Sequence, residues 1–173
     1  MTMSAAAAAS PAEACQTAPF SRSAAAFARA QPVFAHLGQN IALLGPAGSG
    51  QHCKMANQIA GAVGIVAVFE ALAYARAAGL DPVKVHASIS GGAAGSWAMT
   101  NLGPRALAGD FAPGFYVKHL RKDIGIAVAS AAELGLDLPG LACARRLYEQ
   151  VAEKGWDELG TQVIYRLYAG SLG

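Results

Sequence analysis

Residues 45–58 read GPAGSGQHCKMANQ, and this stretch decides how the rest of the chain is read. A glycine-rich turn, Gly45 to Gly50, runs into an apolar segment, Ile59 to Phe69, with no breaker between them. A helix starting at the turn places Lys54, Asn57 and Gln58 on one face of its first turns, because positions i, i+3 and i+4 are neighbours. An amine and two amides at the head of a greasy helix are unfavourable unless they meet water, a partner or a ligand. The cluster therefore marks a candidate site. A lysine near the positive end of a helix, among apolar neighbours, can exchange a proton with an alcohol or carbonyl oxygen. Asn57 and Gln58 can hold a hydroxyl or carboxylate beside it.

The segment before the turn, Asn40 to Leu44 (NIALL), reads as a short buried strand. Strand, glycine turn and helix in succession suggest a phosphate cradle. The spacing argues against it. The dinucleotide fingerprint is GxGxxG inside a βαβ unit, whereas here the order is GxxGxG with no second strand following. A Walker A loop needs GK[ST], but Gln51 follows Gly50. The turn is thus read as a joint between domains. A lone strand cannot satisfy its own backbone, so NIALL is expected to belong to a sheet built elsewhere.

Composition narrows the class. The 173 residues are 54% hydrophobic and 14% charged, enough apolar material for a core and too much for wholesale disorder. A net charge of +2, with no basic run, gives no reason to expect nucleic acid or an anionic membrane as partner. Cys15, Cys53 and Cys143 show neither CxxC nor His-linked spacing and read as reduced thiols of a cytoplasmic protein. The scattered His36, His52, His86 and His119 give no metal site. Residues 1–21 are rich in Ala, Ser and Pro and read as a disordered tail; they lack the basic residues of a secretory or transit signal. The run Ile59–Phe69 is only about half of the ~20 residues a membrane span needs, so a buried central helix is expected.

Helical periodicity covers most of what remains. Ser23–Leu37 is expected as a helix, and residues 22–44 as the end of a β/α unit. A long helix is expected over Ser49–Ala78, with Ser49 as its cap and Gly79 as its stop, about 45 Å at 1.5 Å per residue. Asp81-Pro82 caps a helix to Ile89. After the glycine-rich break at 90–96, helices are expected over Trp97–Leu107, Phe115–Leu134, Pro139–Glu153 and Asp157–Tyr168. The class is all-α from residue 45 to 173, with a β/α remnant in front. On periodicity alone, Lys118, His119, Lys122 and Asp123 read as a charged solvent face, and Trp97 as core.

Three separated motifs then join. Gly45 to Gln58 fits G-x-x-G-x-G-x-x-x-K-x-x-N-[NQ]. Gly92 to Trp97, Asp110 to Phe115 and Lys122-Asp123 fit G-x-x-x-S-W, D-F-x-P-G-F and K-D. Ala144 to Tyr148, Gly155 and Asp157 fit A-x-x-L-Y, G and D. The chain resembles, over roughly residues 22–169, the C-terminal helical domain of the β-hydroxyacid dehydrogenases, the family of 3-hydroxyisobutyrate dehydrogenase and tartronate semialdehyde (2-hydroxy-3-oxopropionate) reductase. The resemblance implies a helical bundle like the C-terminal domain of 6-phosphogluconate dehydrogenase, built around one long helix and preceded by a Rossmann domain. It implies NAD or NADP as cofactor, a small hydroxyacid or semialdehyde as substrate, and homo-oligomers formed through the helical domain. By the same resemblance Lys54 is the proton donor or acceptor, Asn57 and Gln58 orient the substrate, and Lys122 and Phe115 meet the cofactor, with Trp97 also near the cleft. The family's GxGxxG domain and its Ser-Gly-Gly loop have no counterpart in these residues. The chain alone is therefore expected to be inactive, and a role only as a helical dimerisation or binding module is the rival expectation.

Overall fold

The computed structural model describes residues 24–36, 38–39 and 41–169, and the described residues on either side of the Asn57–Gln58 bond form two compact units. The expected tail at 1–21 lies outside them.

The first unit holds α1 (Ala24–Phe34), a connecting segment, and the start of α2 (Ser49–Ala77). Pro32 lies inside α1, where it removes one backbone donor; the Phe27 and Phe34 rings meet with centroids 6.1 Å apart. The expected strand is not formed. Residues 41–44 are irregular, and no strand exists among the described residues. The physical reason is the one that made the segment odd in the sequence: without a pairing edge, an extended apolar run has nothing to bond. The glycine turn then does its conformational task. Gly45 and Gly48 have φ of 144° and 98°, in the region that L-residues avoid. The Gly48 carbonyl accepts from the backbone N–H of Gln51 and His52, so the chain enters the helix one residue before the expected cap at Ser49.

The second unit begins within α2 and contains α3 (Pro82–Ile89), α4 (Trp97–Asn101), α5 (Gly103–Leu107), α6 (Val117–Glu133), α7 (Pro139–Glu153), a single 3-10 turn at Thr161–Ile164, and α8 (Tyr165–Ala169). In α2 the buried residues Ala62, Ile65, Val66, Phe69, Leu72 and Ala73 recur at helical spacing and form the inner face. α2 is the one helix, among the described residues, long and apolar enough to cross a membrane by length and composition, yet Ala62, Phe69 and Leu72 are completely buried in the domain core. It ends as expected at Gly79 (φ 77°), where Leu80 N–H bonds Ala75 O at 2.9 Å in a Schellman closure. The same device closes α6 at Gly135 and α7 at Gly155.

Asp81 caps α3 through the Val83 N–H at 2.9 Å, with Pro82 at the first helical position. The helix expected over Trp97–Leu107 is broken into α4 and α5. Pro104 has no N–H to give the Thr100 carbonyl and suits only the first turn of a new helix, where it sits. The helix expected from Asp157 is likewise a turn, the 3-10 segment and α8. α6 and α7 form a helical hairpin joined by the Leu134–Leu138 connection. Their core faces bury Val117, Leu120, Ile124, Leu141, Ala144, Tyr148 and Val151. The wholly buried Tyr148 gives its hydroxyl to the Thr161 carbonyl at 3.0 Å, and Phe69 of α2 meets Tyr165 of α8 with ring centroids 5.6 Å apart.

Candidate functional site

In the first unit, Lys54 and Asn57 lie in the opening turns of α2, and both side chains are exposed. Between them Met55 is buried at 8% exposure, as helical spacing requires of the opposite face.

In the second unit, Gln58 turns inward. Its exposure is 9%, and its Nε2 donates to Asp123 Oδ2 of α6 at 2.8 Å. A carboxylate accepts and cannot donate, so this bond also orients the amide: the NH2 group is the end that faces Asp123. Asp123 is only 4% exposed. The solvent-face reading of the Lys118–Asp123 stretch therefore holds for Lys118, His119 and Lys122, which are exposed, and fails for Asp123. The signal was in the spacing. Asp123 stands three residues after Leu120 and four before Ala127, on the core side of α6.

Phe115 lies just before α6 and Lys122 within it, and both are exposed. The backbone around Phe115 is pinned by the 159–161 segment: Thr161 N–H donates to Phe115 O at 3.1 Å, Val117 N–H to Leu159 O at 3.0 Å, and Tyr116 forms an antiparallel bridge with Gly160. Gln162 Nε2 braces the approach by bonding the carbonyls of Asp110 and Ala112, each at 3.1 Å. The Phe115 ring, so held, is left 42% exposed and lies against His119, with centroids 6.1 Å apart. Lys122 follows one turn after His119 on the same helix.

The charges of α6 are sorted by side. Lys118 Nζ bonds both carboxylate oxygens of Glu158 at 2.7 Å, which raises its pKa, and Arg121 Nη1 bonds both oxygens of Asp157 at 3.1 Å. Lys122, by contrast, forms no ion pair among the described residues. Trp97, expected as core on spacing and near the cleft by resemblance, is 48% exposed at the start of α4, where Ser96 caps the helix through Met99 N–H at 3.0 Å. Among the described residues no His, Cys, Asp and Glu cluster could hold a metal ion.

The comparisons with known proteins agree with the helical architecture. Residues 48–168 match the family described as NAD-binding of NADP-dependent 3-hydroxyisobutyrate dehydrogenase. The chain is 53% identical over 143 residues to the oxidoreductase YkwC of Bacillus subtilis, covering 83% of this chain and 50% of the relative. It is 43% identical over 135 residues to 2-hydroxy-3-oxopropionate reductase of Escherichia coli, covering 78% and 46%. The crystal structure of 3-hydroxyisobutyrate dehydrogenase from Salmonella typhimurium superposes with a TM-score of 0.79 at 26% identity, covering 84% of this chain and 51% of that one. The chain belongs to the helical NAD-binding domain family of the 3-hydroxyisobutyrate dehydrogenases. It spans about half the length of the curated relatives it matches.

The family implies a nicotinamide dinucleotide, and the exposed Phe115 and Lys122 suit part of one. An exposed aromatic ring offers a flat surface, and an exposed ammonium with no acid partner offers charge to a phosphate or carboxamide.

Proposed function

We propose that this chain is the helical, proton-transferring part of an NAD(P)-dependent oxidoreductase that interconverts a small β-hydroxyacid and its semialdehyde. The observation that carries the reading is the match of residues 48–168 to the dehydrogenase family, supported by the 43% identity to 2-hydroxy-3-oxopropionate reductase. Bound NAD(P) supplies or accepts the hydride. In oxidation, the Lys54 amine takes the substrate hydroxyl proton; in reduction, its ammonium returns that proton to the forming alkoxide and stabilises the negative charge there. Asn57 orients the substrate's oxygens, Gln58, whose NH2 is taken up by Asp123, supports the site from the core side, and Lys122 and Phe115 meet the cofactor. The helical domain begins at the glycine turn, the working protein is a cytoplasmic homo-oligomer, and the chain alone does not turn over NAD(P)H.

The test joins residues 45–169 of this chain to the N-terminal half of YkwC. The chimera should reduce tartronate semialdehyde, glyoxylate or succinic semialdehyde with NAD(P)H. Lys54→Ala in that chimera should lower kcat by ~10²–10⁴, the range of general acid–base catalysis, with little change in the KM for cofactor. A chimera that folds and binds NAD(P)H yet keeps near-normal kcat without Lys54 would remove the assignment.

A further inference from the structure

Four cationic or potentially cationic residues stand in the first turns of α6: Lys118, His119, Arg121 and Lys122. The turn before the 3-10 segment supplies two acids, Asp157 and Glu158, and these neutralise Arg121 and Lys118. His119 and Lys122 have no acid within ion-pair distance among the described residues. They are three positions apart on α6, so their side chains are neighbours. Both are exposed.

His119 is also fixed in place. Its ring lies 6.1 Å from Phe115 at a tilt of 39° and meets Tyr116 edge-on at 5.6 Å and 88°. Contacts on two sides limit the rotamers of an otherwise free surface imidazole, so less entropy is lost when it binds something. In either neutral tautomer the ring keeps one N–H to donate, and Lys122 has three. The result is a two-point hydrogen-bond donor site for an anion, directly beside a half-exposed aromatic ring.

We infer that His119 and Lys122 together bind a phosphate whose attached flat ring lies on Phe115, the chemistry of a nicotinamide mononucleotide unit. The inference rests on the cofactor assignment proposed above for Lys122 and Phe115, and adds His119 as the residue that completes the anion site. A bare ammonium attracts a phosphate without fixing its direction. The added imidazole N–H gives the phosphate a second bond and thereby sets where the ring falls.

The test is an NMR titration of this chain with nicotinamide mononucleotide, and separately with inorganic phosphate and with nicotinamide. The mononucleotide should shift the ring protons of Phe115 and His119 and the ε-methylene of Lys122. Phosphate should move only His119 and Lys122, and nicotinamide only Phe115. His119→Leu should weaken the mononucleotide by about tenfold, the scale of one charge-assisted hydrogen bond. His119→Gln, which keeps a donor, should stay within about threefold of the parent. Amide spectra of each variant check that the fold is intact. If the mononucleotide moves Phe115 and Lys122 while His119 stays still and His119→Leu binds as before, the role of His119 is overturned and the cofactor assignment stands. If none of the three residues responds to the mononucleotide, the cofactor assignment for this face falls, and the role of His119 falls with it.

Discussion

Gln58 and Asp123 are 65 positions apart, yet their side chains meet at 2.8 Å inside the second unit, joining α2 to α6. Asp123 is the sole buried charged residue among those described. A buried carboxylate that loses one hydrogen-bond donor loses part of what offsets its desolvation, whereas an apolar pair of similar shape has no such need. Gln58→Leu alone should therefore destabilise the chain by about 2–3 kcal/mol, and Asp123→Leu alone by about 1–3 kcal/mol, from the amide left behind. Gln58→Leu with Asp123→Leu should be less damaging than the sum of the two, because the double change removes both ends of the bond and each single change removes only one. Urea unfolding of the four proteins measures this. Strict additivity would show that the bond contributes nothing beyond its separate ends.

The two residues also mark where the sequence could be read and where it could not. Lys54, Asn57 and Gln58 were legible as a group because they interrupt an apolar helix. Spacing along one helix says nothing, however, about which of the three turns toward a second helix. The bounds of α2, α3 and α7 followed from glycine, proline and aspartate at their ends, since those residues act through local backbone geometry. Residues 41–44 failed for the opposite reason. A strand needs a partner, and β-propensity in a short apolar run cannot supply one. The division into α4 and α5 could have been read from Pro104, whose missing N–H falls where a continuous helix needs a donor.

The stability of the chain should fall in alkaline solution through its tyrosines. Burial, then the Glu70 carboxylate that accepts from its hydroxyl, pushes the Tyr168 phenol from 10.0 up to about 12, and complete burial also pushes Tyr148 up. A raised folded-state pKa contributes stability that is fully present below the unfolded value of 10.0 and is lost as pH rises toward about 12. Unfolding free energy should thus be flat near neutrality and decline above pH 10. Tyr168→Phe should make that decline shallower, because one of the two shifted tyrosines no longer titrates. An unchanged slope in urea melts between pH 9 and 12 would show that Tyr168 is not buried as described.

Gly160 is a glycine for space rather than for backbone angle, since its φ is an ordinary −69°. A Cβ there would press on the Gln162 amide and come within 2.8 Å of the Ala112 carbonyl. Those are the groups that brace the loop leading to Phe115. Gly160→Ala should cost about 1–3 kcal/mol of stability, as overpacking of a tight interior does. It should also disturb the Phe115 resonances, whereas Gly125→Ala within α6, where a Cβ would meet nothing among the described residues and φ is ordinary, should leave them alone. Thermal melts and ring-proton spectra check both effects. A Gly160→Ala protein with native stability and native Phe115 shifts would mean that this loop is loosely held.

Gly61 and Gly64 present the reverse case. Both lie in the interior of α2, where glycine is less stable than alanine by roughly 0.5–1 kcal/mol, and a Cβ at either would touch nothing among the described residues. The domain itself therefore has no steric need for them. Ala60, Ala67 and the 74% exposed Tyr74 stand on the outward part of the same helix. Small residues at such positions let another helix approach closely, which accords with the proposed homo-oligomer. Gly61→Ala and Gly64→Ala should each stabilise the isolated monomer by about 0.5–1 kcal/mol and, if a second copy packs on this face, weaken association. Urea melts at low concentration read the first effect, and sedimentation over a concentration series reads the second. Higher monomer stability with unchanged association would place the oligomer contact elsewhere on the domain.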